Sequence, residues 1–456
     1  MELIVRNIQA HLVLALSEFL NNAGSSHWMY AGIAIRMAQV MRLQKQYHQK
    51  HSAKEQEIRR RTLWACLGFD RLLAYFLTKV YTIPLSSITV ALPSTDASVA
   101  YQEASRGLTL DSLISFDGYP SEIGLMPYLI KTMSLWSEIA DFNVCYGRFT
   151  ETHPQTDPRS PFAQAHRDME DWERSLPPSL SWSVENYLNL ADLNQGRMFL
   201  TMHFLIHSAF CVAYQWYLPQ LDGSSLFHDT VDTAGWSLLH REPDFIKNAI
   251  TNALATGANL SHIYHLSAKA RQDLQCTWVA AALLSVANTC LWLVYAKDPD
   301  HATADAMDRA RNYFDLIVTV FVSWQDHWKA ARTWVKTLRG MHALYREAYI
   351  CGVQEEELLG FDDSLQPDSS SEDESTSADY RPTAGDGYPA PTTSPSLFAS
   401  LRNISIDTTA DPGKVRSALM RFAGSWPHDL FQGLVSDPDL TGQEPSGVIT
   451  HISQAH

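Results

Sequence analysis

The side chains able to do chemistry in this 456-residue chain concentrate in a few short stretches. The densest is HSAKEQEIRRRTLWACLGFDR, residues 51–71, where Arg59, Arg60 and Arg61 follow Glu55 and Glu57, and Asp70 and Arg71 come later. Two chemistries suit it: guanidinium groups gripping phosphates, or carboxylate–guanidinium pairs held within a helix. His203 and His207 stand four residues apart, and His262 and His265 three apart. Either pair would hold a metal if a carboxylate or third histidine converged on it. In an aromatic-rich segment such as MHFLIHSAF, however, histidines at helical spacing are more often packed core residues. Phe361-Asp362-Asp363 is a carboxylate pair of the magnesium-binding kind, but it sits in an acidic stretch with no apolar helix around it. Trp324, Trp328 and Trp334 read as packing anchors, with a ligand pocket as the alternative. No GxGxxG, Walker A, HExxH or GxSxG is present.

Charge and spacing decide how the arginine run is read. The chain carries a net charge of −15 and a pI near 5.6, the opposite of the basic footprint of a phosphate-gripping domain. Ser52 and Glu55 form a Ser-x-x-Glu capping box. Glu55 precedes Arg59 by four residues, and Glu57 precedes Arg61 by four, each in the favourable helical orientation worth about 0.2–0.5 kcal/mol. Downstream, Leu63, Trp64, Cys66, Leu67, Phe69, Leu72, Leu73 and Phe76 make the helix apolar almost all round, so it belongs in a core. Asp70 and Arg71 lie inside that stretch. As i,i+1 neighbours they do not share a helix face, so each needs its own partner on another helix or must reach water. Arg36 on the preceding helix is the candidate partner for Asp70. A structural role for these charges is favoured over a nucleic-acid contact.

The elements that must position these residues are helices. Hydrophobic residues make up 45% of the chain and aromatics 11%, with 13 tryptophans, enough for a large core. Periodicity predicts helices over about 2–20, 27–44, 53–77, 121–149, 161–175, 185–218, 243–265, 270–296, 303–322 and 325–350, with no strong alternating strand pattern. The expected fold is all-α: an irregular multi-helix domain without a fixed internal repeat. The six cysteines are scattered, the closest pair 14 residues apart, which suits buried reduced thiols better than disulfides or a zinc clip. Residues 2–20 read as an amphipathic helix, not a signal peptide. TWVAAALLSVANTCLWLVYA (277–296) is uncharged and long enough to span a bilayer. Ser285, Asn288 and Thr289 within it favour a buried core helix.

After Ile350 the composition changes. Residues 355–379 hold ten Asp and Glu and no Lys or Arg. Residues 351–397 are expected to form a disordered acidic, Ser/Thr/Pro-rich linker. Residues 398–456 are expected to be a tail with short amphipathic segments, such as VRSALMRFAGSW (415–426), able to fold on a partner or to remain unattached.

Three stretches together resemble a family. HWMYAGIAIRMAQVMRL (27–43), EIRRRTLWACLGFDRLLAYF (57–76) and IPLSSITVALPSTD (83–96) are similar to the middle regulatory domain of fungal zinc-cluster transcription factors. The ordered matches are Trp28, Gly32, Ala34, Arg36, Ala38, Glu57, Arg59, Arg60, Arg61, Trp64, Asp70, Arg71, Leu92 and Pro93. LPPSLSWSVENY (176–187) looks like the later part of the same domain. The sharp likeness covers about 70 residues, a weaker one extends to about residue 350, and on it residues 1–350 are assigned to this domain. Two departures stand out. Met41-Arg42-Leu43-Gln44 replaces the family's Gly-Leu-His, and Thr78-Lys79-Val80-Tyr81 replaces a glycine-containing turn.

The family's N-terminal six-cysteine cluster, which binds two zinc ions and places a helix in the major groove, has no counterpart here. DNA and zinc binding are therefore expected to be absent from this chain, with no cofactor in it, whether the gene is truncated or the module was lost. The resemblance implies control of RNA polymerase II transcription in the nucleus and no enzymatic activity. It implies partners among the transcription machinery or co-regulators through the C-terminal region, a second copy of the chain as a further partner, DNA only through another module or protein, and no membrane. The alternatives are a ligand-binding or dimerising co-regulator and an all-helical enzyme.

Overall fold

The computed structural model describes residues 4–22, 24–46, 51–77, 79–101, 106–144, 153, 157–214, 243–295 and 303–359. Among these the chain is all-α, with no strand. The helices are α1 (Val5–Asn21), α2 (Ser26–Val40), α3 (Ala53–Leu77), α4 (Asp96–Ala100), α5 (Pro120–Ile123), α6 (Met126–Val144) and α7 (Pro161–Ser175). They continue as α8 (Val184–Asp192), α9 (Gly196–Tyr214), α10 (Pro243–Leu266), α11 (Ala268–Leu274), α12 (Thr277–Tyr295), α13 (Ala304–Trp324) and α14 (Lys329–Leu359).

Short polar residues set where many helices begin. Thr95, Ser160, Ser183, Ser267 and Thr303 each accept the backbone N–H three residues on. Ser52 does the same for Glu55 at 3.2 Å. Each cap satisfies a donor the helix cannot, worth about 0.5–2 kcal/mol.

α9 and α12 form the centre. α9 packs against α6, α10 and α12, and α12 against α9, α10, α13 and α14. Every residue from Thr277 to Leu293 is buried. The polar groups of α12 are partnered: Tyr75 Oη meets Ser285 Oγ at 2.9 Å, and Tyr345 Oη donates to Asn288 at 3.0 Å. Both α12 and Gly196–Ala213 of α9 are long and apolar enough to cross a bilayer, yet 94% and 83% of those windows are enclosed by other helices. The core-helix reading of 277–296 holds. Trp324 and Trp334 are buried, with Trp328 packed edge-on to both, as packing anchors should be.

Four expected boundaries are corrected. The helix expected over 185–218 breaks between α8 and α9, where Asn194 turns left-handed (φ +57) and Gln195 N donates to Leu190 O. The helix over 270–296 breaks at Gln275, which leaves helical geometry between α11 and α12. That over 121–149 breaks at Gly124 (φ +78). The last helix passes 350 and continues to Leu359, because CGVQEEELL contains good helix formers and no proline. The rest of the acidic segment, Phe361-Asp362-Asp363 and the tail 398–456 lie outside the described residues.

The end of α2 explains one family departure. Leu43 N donates to Ala38 O and Arg42 N to Gln39 O, both at 3.0 Å, with buried Leu43 closing the motif. This is a Schellman turn, whose left-handed residue is usually glycine. Here Arg42 holds it at φ +52. A side chain at that φ costs about 1–2 kcal/mol, and the Arg42 side chain is exposed. Arg42→Gly is expected to raise stability by about 0.5–1 kcal/mol, read as a higher urea midpoint at unchanged slope; a lower midpoint would refute the strain.

Candidate functional site

Glu57, Arg61, Trp64, Asp70 and Arg71 of α3 hold the irregular segment 81–96 at three points. At the first, buried Glu57 accepts from Arg61 Nε and from the Ser94 backbone N–H, both at 2.9 Å on Oε1, and from Arg60 Nη1 on Oε2. Arg61 then reaches past Glu57, donating to Ser94 O at 2.8 Å and to Asp96 at 2.7 Å. One carboxylate and one guanidinium thus clamp both the N–H and the C=O of Ser94. At the second point, Trp64 Nε1 donates to Ala91 O at 2.9 Å. At the third, Asp70 accepts from the backbone N–H groups of Thr82 (3.0 Å) and Ile83 (2.9 Å) and from Arg71 Nη1 (2.6 Å). Arg71 donates to Ile83 O at 2.6 Å and lies 4.0 Å over the Tyr81 ring, whose hydroxyl donates to Ser137 O of α6.

Geometry explains the order. Residues 57 to 70 of α3 advance about 20 Å at ~1.5 Å per residue. The segment from Thr82 to Ser94 runs antiparallel over the same length, and fully extended would reach about 40 Å. The 3₁₀ turn Leu85–Ser87 takes up part of the surplus.

Two expected pairings are corrected. Arg36 is not the partner of Asp70: it is exposed and bonds Gln39 on its own helix at 3.0 Å. Asp70 and Arg71 meet each other, because both side chains turn towards the 82–83 backbone and the arginine is long enough to curl back. Glu55 pairs with His51 (3.0 Å), not Arg59, which instead donates to Met41 O at 3.2 Å and ties α2's end to α3. The Glu57–Arg61 pair stands where the spacing places it. Of the motif residues, Glu57, Arg60, Arg61, Trp64, Asp70, Arg71 and Pro93 gather at the clamp. Trp28, Gly32 and Arg36 lie at four-residue steps on α2, away from it; Gly32 has open space beside it.

Burial shapes the electrostatics. Burial alone would lower the Arg61 guanidinium, but hydrogen bonds and charge from Glu57 and Asp96 leave it raised. Arg71 is lowered by burial, which Asp70 only partly offsets. Burial pushes the thiols of Cys66 and Cys211 up to about 12, which leaves them unreactive. His203 bonds Leu180 O at 2.9 Å and His207 faces Asn252 at 3.4 Å, while His262 and His265 are exposed. Among the described residues no group of three His, Cys, Asp or Glu is placed to hold a metal.

This fold and clamp define a helical scaffold organised around a fixed loop, and comparison with known proteins shows what it is similar to. Residues 4–180 match the fungal specific transcription factor domain. The match spans α1 through α7 and takes in the 27–96 stretch, so the resemblance read there holds. An uncharacterized transcriptional regulatory protein of Schizosaccharomyces pombe is 22% identical over 79% of this chain and 54% of its own length. Two zinc-cluster (Zn(2)-C6) fungal-type transcription factors of Fusarium oxysporum f. sp. lycopersici are 26% and 28% identical over 43% of this chain, covering 23% and 20% of their own lengths. The chain therefore spans about half or less of these relatives. No solved structure matches.

The buried carboxylates cannot be removed singly. Asp70→Ala leaves Arg71 buried without its counter-ion and two backbone donors unpaired, a loss of about 3–5 kcal/mol. Asp70→Ala combined with Arg71→Met is expected to cost less than the sum of the two single changes, measured as a double-mutant cycle by urea unfolding; strict additivity would mean the pair is not coupled.

Acid should also weaken the fold through its histidines. Burial lowers His27 to about 4 and His203 to about 3. The unfolded chain takes up protons below about 6.5 while these rings stay neutral, so stability is full above that pH and falls as pH drops. Between pH 7 and 5 each should contribute a loss of about 1–2 kcal/mol. His203→Gln, which keeps a donor for Leu180 O, should flatten the slope of unfolding free energy against pH; an unchanged slope would exclude His203.

Proposed function

We propose that this chain regulates transcription by RNA polymerase II in the nucleus, as a regulatory domain and not as an enzyme. The observation that carries the reading is the match of residues 4–180 to the fungal specific transcription factor domain, together with the clamp into which that domain's motif residues are built. The names of the relatives, transcriptional regulators and zinc-cluster transcription factors, support it.

Contacts to DNA come from outside these 456 residues, from a further module or a partner protein. The sequence has no cysteine pair closer than 14 residues and a net charge of −15, so it offers neither a zinc cluster nor a basic groove-reading surface. The acidic segment and the tail beyond it recruit the transcription machinery or co-regulators, and a second copy of the chain is a further partner.

Fused to an unrelated DNA-binding module, the full chain is expected to change reporter transcription several-fold from the cognate promoter, and Asp70→Ala to abolish the change. In gel-shift assays at physiological salt the unfused chain is expected to show no sequence-specific retention of DNA. An intact nuclear fusion with no effect on the reporter would overturn the regulatory reading, and specific retention by the unfused chain would overturn the assignment of DNA contacts elsewhere.

A further inference from the structure

Next to the clamped Ser94 the chain leaves a cleft of about 270 Å³. One wall is the segment 92–98 held by α3; the other is formed by Arg106, Leu108 and residues 121–127. At its edge Arg106 Nη2 meets Glu122 Oε2 at 2.7 Å. The lining also includes the apolar residues Pro93, Leu108 and Ile123 and the hydroxyl-bearing Ser98 and Ser121.

The lining limits what fits. Among the described residues the two charged ones that line it, Arg106 and Glu122, are paired with each other. An ionic ligand would either break the pair or bring an unmatched charge into a partly desolvated cleft. A neutral ligand avoids both costs. Ser98 Oγ accepts from Thr95 Oγ1 at 3.0 Å and keeps its own proton to donate. Glu122 offers carboxylate lone pairs, and Arg106 has further N–H donors. Donors and acceptors in one lining match groups that both give and take hydrogen bonds, and a hydroxyl does both from a single atom. The apolar patches match the C–H faces between them. The volume lies just under the roughly 300–1,000 Å³ of drug-sized pockets, which suits a molecule of monosaccharide size.

The wall is also a direct extension of the clamp. Ser94 donates its N–H to Glu57 and accepts from Arg61 through its C=O, and Arg61 also holds Asp96. A ligand bridging this wall to Ser121 and Glu122 would fix the segment between α3 and the start of α6. We propose that the cleft binds a neutral, polyhydroxylated small molecule and that α3 senses its occupancy through Ser94. This binding stands independently of the transcriptional role.

The test uses the full chain with D-glucose, D-xylose and myo-inositol as probes, and L-glutamate, citrate and spermidine as charged counterparts. Calorimetric titration is expected to show saturable binding of at least one of the three polyols and of none of the charged compounds. Hydrogen exchange of the Ser94 and Ser98 amides should slow on binding. Ser121→Trp and Ala97→Trp fill the cleft from its exposed rim, and each should weaken binding about tenfold or more while leaving the unliganded melting midpoint unchanged. The proposal is overturned if no polyol binds, if both filled variants bind normally, or if a charged probe displaces the polyol. Binding without slower exchange at Ser94 would overturn the coupling to α3.

Discussion

Two buried carboxylates in α3 set the terms for the first part of this molecule. Glu57 and Asp70 are 4% and 1% exposed. A buried charge left alone costs several kcal/mol, so each must be neutralised and its lone pairs filled. The adjacent arginines supply the charge but cannot fill every acceptor site. The remaining hydrogen bonds come from main-chain N–H groups, and a loop rich in unpaired amides is the natural donor. Once Asp70 takes Thr82 and Ile83 and Glu57 takes Ser94, the path of the chain between them is fixed. The arginines complete the arrangement by satisfying the carbonyls that the same loop leaves open.

This accounts for the motif's spacing without appeal to nucleic acid. Positions 57, 61, 64 and 71 recur at intervals that keep returning to one side of α3, with Asp70 curling round beside Arg71, and together they meet successive parts of 81–96. The tryptophan at the middle point spans the stretch where no charge is available, with an indole N–H in place of a guanidinium. A run of arginines that looks like a phosphate grip is therefore consumed internally. Arg60 is 3% exposed, and Arg61 has its donors committed to Glu57, Ser94 and Asp96.

Much of this was legible in the sequence, and the failures share one cause. The all-α class, the course of α3, the Ser52 cap, the Glu57–Arg61 pair and the burial of 277–296 all follow from periodicity and local spacing. What could not be read is what the side chains do to backbone. Thr82, Ile83, Ala91 and Ser94 take part through N–H and C=O groups that every residue has, so no residue type marks them. Arg36 looks like the partner of Asp70 only if charged side chains alone count as partners; two amides and the neighbouring arginine suffice. The break at Asn194 was hidden for a related reason. Asparagine tolerates left-handed geometry but is common elsewhere, so it gives a far weaker signal than glycine.

The remaining question is how a fixed loop could matter to the rest of the fold, and α3 supplies the connection. It is one continuous helix of 25 residues, about 37 Å long at ~1.5 Å per residue. Its residues 57–71 carry the clamp. In its second half Tyr75 bonds Ser285 of α12 and packs edge-on to Trp136 of α6, which in turn donates to Ser208 of α9. Phe76 packs against Phe19 of α1 and Trp334 of α14. Close-packed interiors move as units rather than deforming smoothly. A displacement of the 81–96 segment must either break hydrogen bonds to buried charges or shift α3 as a rod, and the second course moves side chains lodged against four other helices. The stiffness that makes the loop expensive to move is therefore what joins it to the centre of the molecule.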